Sequence, residues 1–164
     1  MNKYILKKVE KIISLLQKEN KTVGTAESLT AGMISSFIAG VSGSSSILKG
    51  GVISYQLSVK EKLLNIPKDI LKEDAVNKET AEVMAIRITA LLNCDYGISA
   101  TGIAESYDSR GQIAYCSIYD RKNNISHPSY FLFPKSKRNK IREEVVLLIL
   151  SEFLYVLEDN SKNG

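Results

Sequence analysis

Histidine is nearly absent from this 164-residue chain, where His127 stands alone. It sits beside Pro128 on a stretch that reads as an edge strand, which makes a Ser-His-Asp triad a poor fit. Cysteine is scarce too. Cys94 and Cys116 both lie in apolar surroundings, which suits two buried free thiols in a reducing cytoplasm rather than a disulfide framework. One histidine and two scattered cysteines leave no metal-ligand spacing, so no metal site is expected. No apolar run approaches membrane-spanning length, and the segment 1–20 is charged and amphipathic with no apolar signal core. A cytoplasmic protein without a membrane partner is the expectation. Excess charge is also small, at +4. Lysines alternate with acids, as in Lys7-Lys8-Val9-Glu10-Lys11, the pattern of a solvated helix face. Only the stretch from Lys135 to Arg142, with five basic residues, is dense enough to meet phosphate. It also opens a predicted helix, so nucleic-acid binding is disfavoured.

What is present is an ordinary globular composition, 44% hydrophobic and 24% charged, long enough for one domain with its own core. Ile5, Val9, Ile12, Ile13 and Leu16 mark one face of a first helix. A buried strand is expected from Thr22 to Ala26, a helix from about Thr30 to Ala39, and a strand from Gly50 to Tyr55. Ser58-Val59-Lys60-Glu61 has capping-box form and should open a helix ending near Asn65. Asn77 should cap a helix to about Asn93. A strand from Tyr96 to Thr101 precedes a polar loop, 104–110. Strands over Gln112–Tyr119 and Ile125–Phe133 form a hairpin joined at Lys122–Asn124, with Pro128 pushing the second to an edge. A last helix runs from Arg138 to Leu157, and residues 159–164 should fray. Alternating helices and strands closed by a hairpin predict one α/β domain over 1–164, a three-layer α/β/α sandwich with a mixed sheet.

Small hydroxyl residues and glycines gather at the strand-to-helix turns. The first turn, Thr25-Ala26-Glu27-Ser28-Leu29-Thr30-Ala31-Gly32, offers a helix N-terminus suited to phosphate or carboxylate, with Gly32 permitting close approach. Taken alone, Ser28 and Thr30 more often just cap the helix. Gly43-Ser44-Ser45-Ser46, taken alone, satisfies a turn. Tyr55 reads first as a strand residue and Lys60 as a solvated lysine. Their order raises the functional reading: serine turn, strand, tyrosine, helix start, lysine.

The same residues resemble the C-terminal domain family of the competence/damage-inducible protein CinA. The likeness rests on Ala26-Glu27-Ser28-Leu29-Thr30-Ala31-Gly32, Gly43-Ser44-Ser45, Gly51-Val52-Ile53-Ser54-Tyr55 with Lys60, Ala75-Val76, Thr101-Gly102-Ile103-Ala104, and Lys137-Arg138 through Arg142. It runs in register from about Lys11 to Phe153. Stand-alone members of this family include nicotinamide mononucleotide deamidases. The resemblance implies a nucleophile at Ser45, a catalytic lysine at Lys60, an active-site tyrosine at Tyr55, and family positions at Thr101 and Arg138. The implied reaction hydrolyses the carboxamide of nicotinamide mononucleotide to nicotinic acid mononucleotide and ammonia, with no metal or organic cofactor. The family often self-associates, so a homo-oligomer is expected. After Ala104 the chain departs from the family's glycine-rich run and carries acids instead, at Glu105 and Asp108. A nucleotide-binding or regulatory domain without turnover is the alternative reading.

The residue types suit that chemistry. A serine hydroxyl attacks an amide only when a base takes its proton. A lysine can be that base when neutral, which requires its pKa to fall by roughly three units from about 10.4. Burial or positive potential can supply the shift. The reading therefore requires the Lys60 amine within reach of the Ser45 hydroxyl. Tyr55 would donate to or relay from the serine. Backbone N–H groups near Ser45 or at Thr101-Gly102 are the two candidates for holding the oxyanion. Arg138, Arg142 and the Ser28–Thr30 turn are phosphate candidates. Glu27 either offsets the pyridinium charge or buttresses its turn.

Overall fold

The computed structural model describes residues 2–105 and 108–164. Five strands form one mixed sheet: β1 (Val23–Glu27), β2 (Leu48–Ile53), β3 (Tyr96–Ile103), β4 (Gln112–Asp120) and β5 (Ile125–Phe133). Their order is β2-β1-β3-β4-β5. β1 runs parallel to both β2 and β3, and β3-β4-β5 is an antiparallel meander. Among the described residues five α-helices cover the sheet: α1 (Lys3–Lys18), α2 (Met33–Ala39), α3 (Leu57–Leu64), α4 (Lys78–Leu92) and α5 (Arg138–Asn163).

The apolar stripe of α1 is buried as its spacing predicts, and Asn2 caps it by accepting from the Tyr4 amide at 2.9 Å. This stripe packs with α2 and α5 on one sheet face, against Val23, Ile98 and Ala100. α3 and α4 supply Leu64, Met84 and Ile88 to a second cluster on the other face, with Ala26. The three-layer sandwich follows. Alternation along β1 sends Thr25 and Glu27 toward α2 and sends Ala26 toward α3 and α4.

Several boundaries differ from expectation. β2 begins two residues early and stops at Ile53. Gly32, not Ser28 or Thr30, is the N-cap of α2. Gln56 precedes α3 and gives it no side-chain cap, so Ser58 lies within the helix and the capping box does not form. Residues 159–163 stay helical rather than fraying. They are tied down: Asn160 donates to the Tyr96 hydroxyl at 3.1 Å and to Asp120 at 3.0 Å, and Ser161 donates to Glu19 at 2.9 Å. The polar loop 104–110 includes residues 106 and 107, which lie outside the described residues. Among the described residues, no helix is long and apolar enough to cross a membrane, and no cluster of His, Cys, Asp and Glu could hold a metal ion.

Candidate active site

All three parallel strands end at the same side of the sheet, and the chain leaves β1 and β3 in opposite directions. The loop after β1 turns toward β2, and the loop after β3 turns toward β4. Such a divergence opens a crevice beyond the carboxyl ends of the strands. A cavity of about 270 Å³ occupies it, lined by residues that include Ser28, Tyr55, Lys60, Thr101, Gly102 and Arg138.

Lys60 sits in α3, on the turn that follows β2, and points back under the strand ends. Its side chain is 2% exposed. Nζ lies 3.1 Å from Ser28 Oγ, 2.6 Å from the Ser54 carbonyl oxygen and 3.5 Å from the Tyr55 carbonyl oxygen. No carboxylate is among these partners, so burial is uncompensated. Desolvation pushes the Lys60 ammonium down from its ordinary 10.5 to about 8. The partner set also orients the amine. A neutral amine has two N–H groups and one lone pair. The two carbonyls can only accept, so they take the N–H groups. The charged ammonium donates to Ser28 Oγ; once the amine is neutral its lone pair is left for the Ser28 hydroxyl, the arrangement a base needs toward a nucleophile.

The expectation that Ser45 meets Lys60 is corrected. Ser45 lies on a single 3-10 turn, Ser44–Ser46, which precedes β2, whereas Lys60 follows it. Six residues of strand separate the two ends, roughly 20 Å. Ser45 is exposed, and its turn is held by Gln17 of α1, which donates to Gly43 O and Ser46 Oγ. The hydroxyl brought to the lysine is Ser28, expected only as a substrate contact. Strand alternation was the signal that could have found it: Ser28 continues the Ala26 face, toward α3.

Tyr55 is about half exposed. Its hydroxyl accepts from Arg138 and is not a hydrogen-bond partner of Ser28 or Lys60 among the described residues. Arg138, at the start of α5, also faces Glu105 at 3.6 Å. Thr101 is buried and donates to the Ala75 carbonyl at 3.3 Å. The Ser28 amide donates to the Ala100 carbonyl at 2.9 Å, which ties the Ser28 backbone to β3. Leu29, Asp74, Val76, Ile103, Ala104 and Glu105 complete the described lining, and of these Asp74 had no sequence signal.

Four expected substrate contacts lie elsewhere. Glu27 is 1% exposed on the α2 face. Its carboxylate accepts from Thr25 Oγ1, Thr30 Oγ1, the Ile34 and Ser35 amides, and Ser35 Oγ, at 2.6–3.1 Å. Of its two readings the buttress holds, and it occupies Thr30 as well. Gly32 lies on that same side, at φ +90° under Ile53. Arg142 spends its guanidinium on the first turn, donating to Leu29 O at 3.1 Å and Thr30 O at 2.9 Å. It therefore clamps the Ser28 loop from α5 and does not line the cavity. A larger cavity, about 520 Å³, opens at the other end of the sheet around Asp120 and Asn160; among its described lining residues there is no serine or threonine.

A family model described as the CinA C-terminal domain matches residues 6–157. A CinA-like protein of Prochlorococcus marinus (strain MIT 9515) is 36% identical over 156 residues, covering 92% of this chain and 36% of that protein. A CinA-like protein of Leptospira interrogans (strain Fiocruz L1-130) is 42% identical over 133 residues, covering 77% of this chain and 32% of that protein. The chain thus spans about a third of the length of these curated relatives. Among solved structures, the competence/damage inducible protein CihA from Agrobacterium tumefaciens superposes with a TM-score of 0.90 at 24% identity, covering 96% of this chain and 98% of that one. A CinA superfamily protein from Enterobacter cloacae gives 0.87 at 22% identity, covering 93% and 92%. At these identities the structures establish the fold.

Proposed function

The chain belongs to the CinA C-terminal domain family, and from that membership we propose that it is an amidohydrolase deamidating nicotinamide mononucleotide by a serine–lysine mechanism, with Ser28 as nucleophile. The observation that carries this is the 3.1 Å contact between Ser28 Oγ and a buried Lys60 amine whose other partners are carbonyls.

The chemistry balances with these groups. Ser28 Oγ attacks the carboxamide carbon as the Lys60 lone pair takes its proton. The tetrahedral intermediate collapses, the C–N bond breaks, and Lys60 returns the proton to the departing nitrogen, so ammonia leaves. Water then attacks the acyl-serine with Lys60 again as base, releasing the carboxylate and restoring the Ser28 hydroxyl. Among the described residues Arg138 is the guanidinium in the cavity lining, and it takes the substrate phosphate. Tyr55 orients Arg138 through its hydroxyl. Thr101 holds the Asp74–Val76 part of the lining through its bond to the Ala75 carbonyl.

Ammonia release from nicotinamide mononucleotide by the purified protein tests the reading. Ser28→Ala and Lys60→Ala should each abolish release. Full activity in either variant overturns the assignment. One observation favours a second reading, a binding domain without turnover: Glu105 already faces the Arg138 guanidinium at 3.6 Å, where a phosphate would have to compete. A ligand-induced rise in melting temperature with no ammonia release selects that reading.

A further inference from the structure

Asp74 and Val76, in the connection between α3 and α4, form part of the lining of the cavity that holds Lys60. This connection is strained. Glu73 has φ +56° and Ala75 has φ +58°, left-handed positions that cost a non-glycine residue roughly 1–2 kcal/mol each. Such a segment keeps its shape only when its surroundings over-determine it. One tie is the bond from Thr101 to the Ala75 carbonyl. The other comes from Arg110, in the loop between β3 and β4. Its Nη1 and Nη2 donate to the two Asp74 oxygens at 3.2 and 2.6 Å. Its Nε and Nη2 donate to Asp108 at 3.2 and 2.7 Å. Asp74 Oδ1 in turn accepts from the Val76 amide at 3.1 Å. Arg110 itself does not line the cavity.

We propose that Arg110 is a positioning residue, clasping Asp74 across two loops to hold the Asp74–Val76 wall of the Ser28–Lys60 pocket in its substrate-binding shape. The proposal rests on that pocket being the reaction site. A planar guanidinium suits the task because it bonds both Asp74 oxygens in parallel while its remaining edge is held by Asp108. A lysine ammonium on the same stem brings the charge without the fork. Among the described residues the side-chain bonds of Arg110 go to Asp74 and Asp108 and not to Ser28 or Lys60, so its loss weakens substrate binding more than it slows the bond-making step.

Two measurements test this. The first needs no substrate: amide hydrogen exchange at Val76, whose N–H rests on the clasped carboxylate. Arg110→Ala should speed it by about tenfold or more while Ala26 in β1 keeps its rate, and Arg110→Lys should fall between the two. Asp74→Asn, which keeps an oxygen for the Val76 amide but loses the charge, should also speed it. The second is steady-state turnover of nicotinamide mononucleotide, in which Arg110→Ala should raise KM by about tenfold and leave kcat within about twofold. Unchanged Val76 exchange in both Arg110→Ala and Asp74→Asn overturns the proposal, as does a loss of kcat at constant KM. If the wild-type protein releases no ammonia, the functional reading fails by itself, and exchange alone decides the clasp.

Discussion

Lys60 is a buried amine in the company of a hydroxyl and two carbonyls, and its titration is the measurable consequence. With its pKa lowered to about 8, the neutral fraction grows as pH rises toward that value. kcat/KM should climb about tenfold per pH unit below it and level off above it, and a profile flat from pH 6 to 9 contradicts Lys60 as the base. Stability carries the same signature. The unfolded chain holds this proton up to its ordinary 10.5 and the folded chain loses it near 8, so the unfolded state binds more protons in between. Stability contributed by Lys60 should therefore rise between those values by roughly 3 kcal/mol, and be lost as pH falls through 8. Denaturant unfolding of wild type against Lys60→Met across pH 7–10 isolates that slope. The neighbouring substitutions separate the two serines: Ser28→Ala should cost at least about a thousandfold in kcat/KM, whereas Ser45→Ala should stay near wild type, and the reverse pattern sinks the geometry described above. Taken alone, Lys60 reads as a solvated lysine and Tyr55 as a strand residue; their order and the family resemblance point to them, and the Tyr55 hydroxyl meets Arg138 rather than the serine or the amine. The serine was not legible, because two hydroxyl-rich turns looked alike until strand direction placed one at each end of β2.

At the level of single elements, the first turn and α2 depend on Glu27 more than on their own propensity. α2 has seven residues and no side-chain cap, so the Ile34 and Ser35 amides at its start find their acceptor in the Glu27 carboxylate. Glu27→Ala should leave those donors unpaired and cost roughly 3 kcal/mol in chemical denaturation, while Glu27→Gln, which keeps one acceptor, should cost less. α4 is the contrast. Asn77 caps it by accepting from the Thr80 amide at 2.7 Å and Asn93 closes it at φ +49°, both readable from the chain because the caps are local. Tight packing of α4 on β3 was not readable. A Cβ at Gly97 would stand 2.1 Å from the Ala85 carbonyl oxygen, so this glycine lets helix and strand approach. The misassigned start of α3 has the same origin: Ser58 fits a capping box locally, but the chain leaving β2 is already helical at Leu57.

On the scale of the whole molecule, the Ser28–Lys60 pair lies where the loops after β1 and β3 diverge, with Arg138 of α5 in the cavity lining and Arg142 holding the Ser28 loop. That helix is anchored at its far end as well. Asn160→Ala should remove the bonds to Tyr96 and Asp120 and lower stability by roughly 1–2 kcal/mol, read as a fall in melting temperature. An unchanged melting temperature means the last turns of α5 are not held by Asn160. By itself the sequence determined the number and kind of elements, the hairpin and the edge position of Pro128, because periodicity, caps and turn residues act over a few neighbours. Only the tertiary structure decided which serine meets the amine, which acid braces a turn and which arginine faces the cavity. Those outcomes depend on which end and which face of a parallel sheet a residue occupies, and that follows from strand order and direction, set by contacts between segments far apart along the chain.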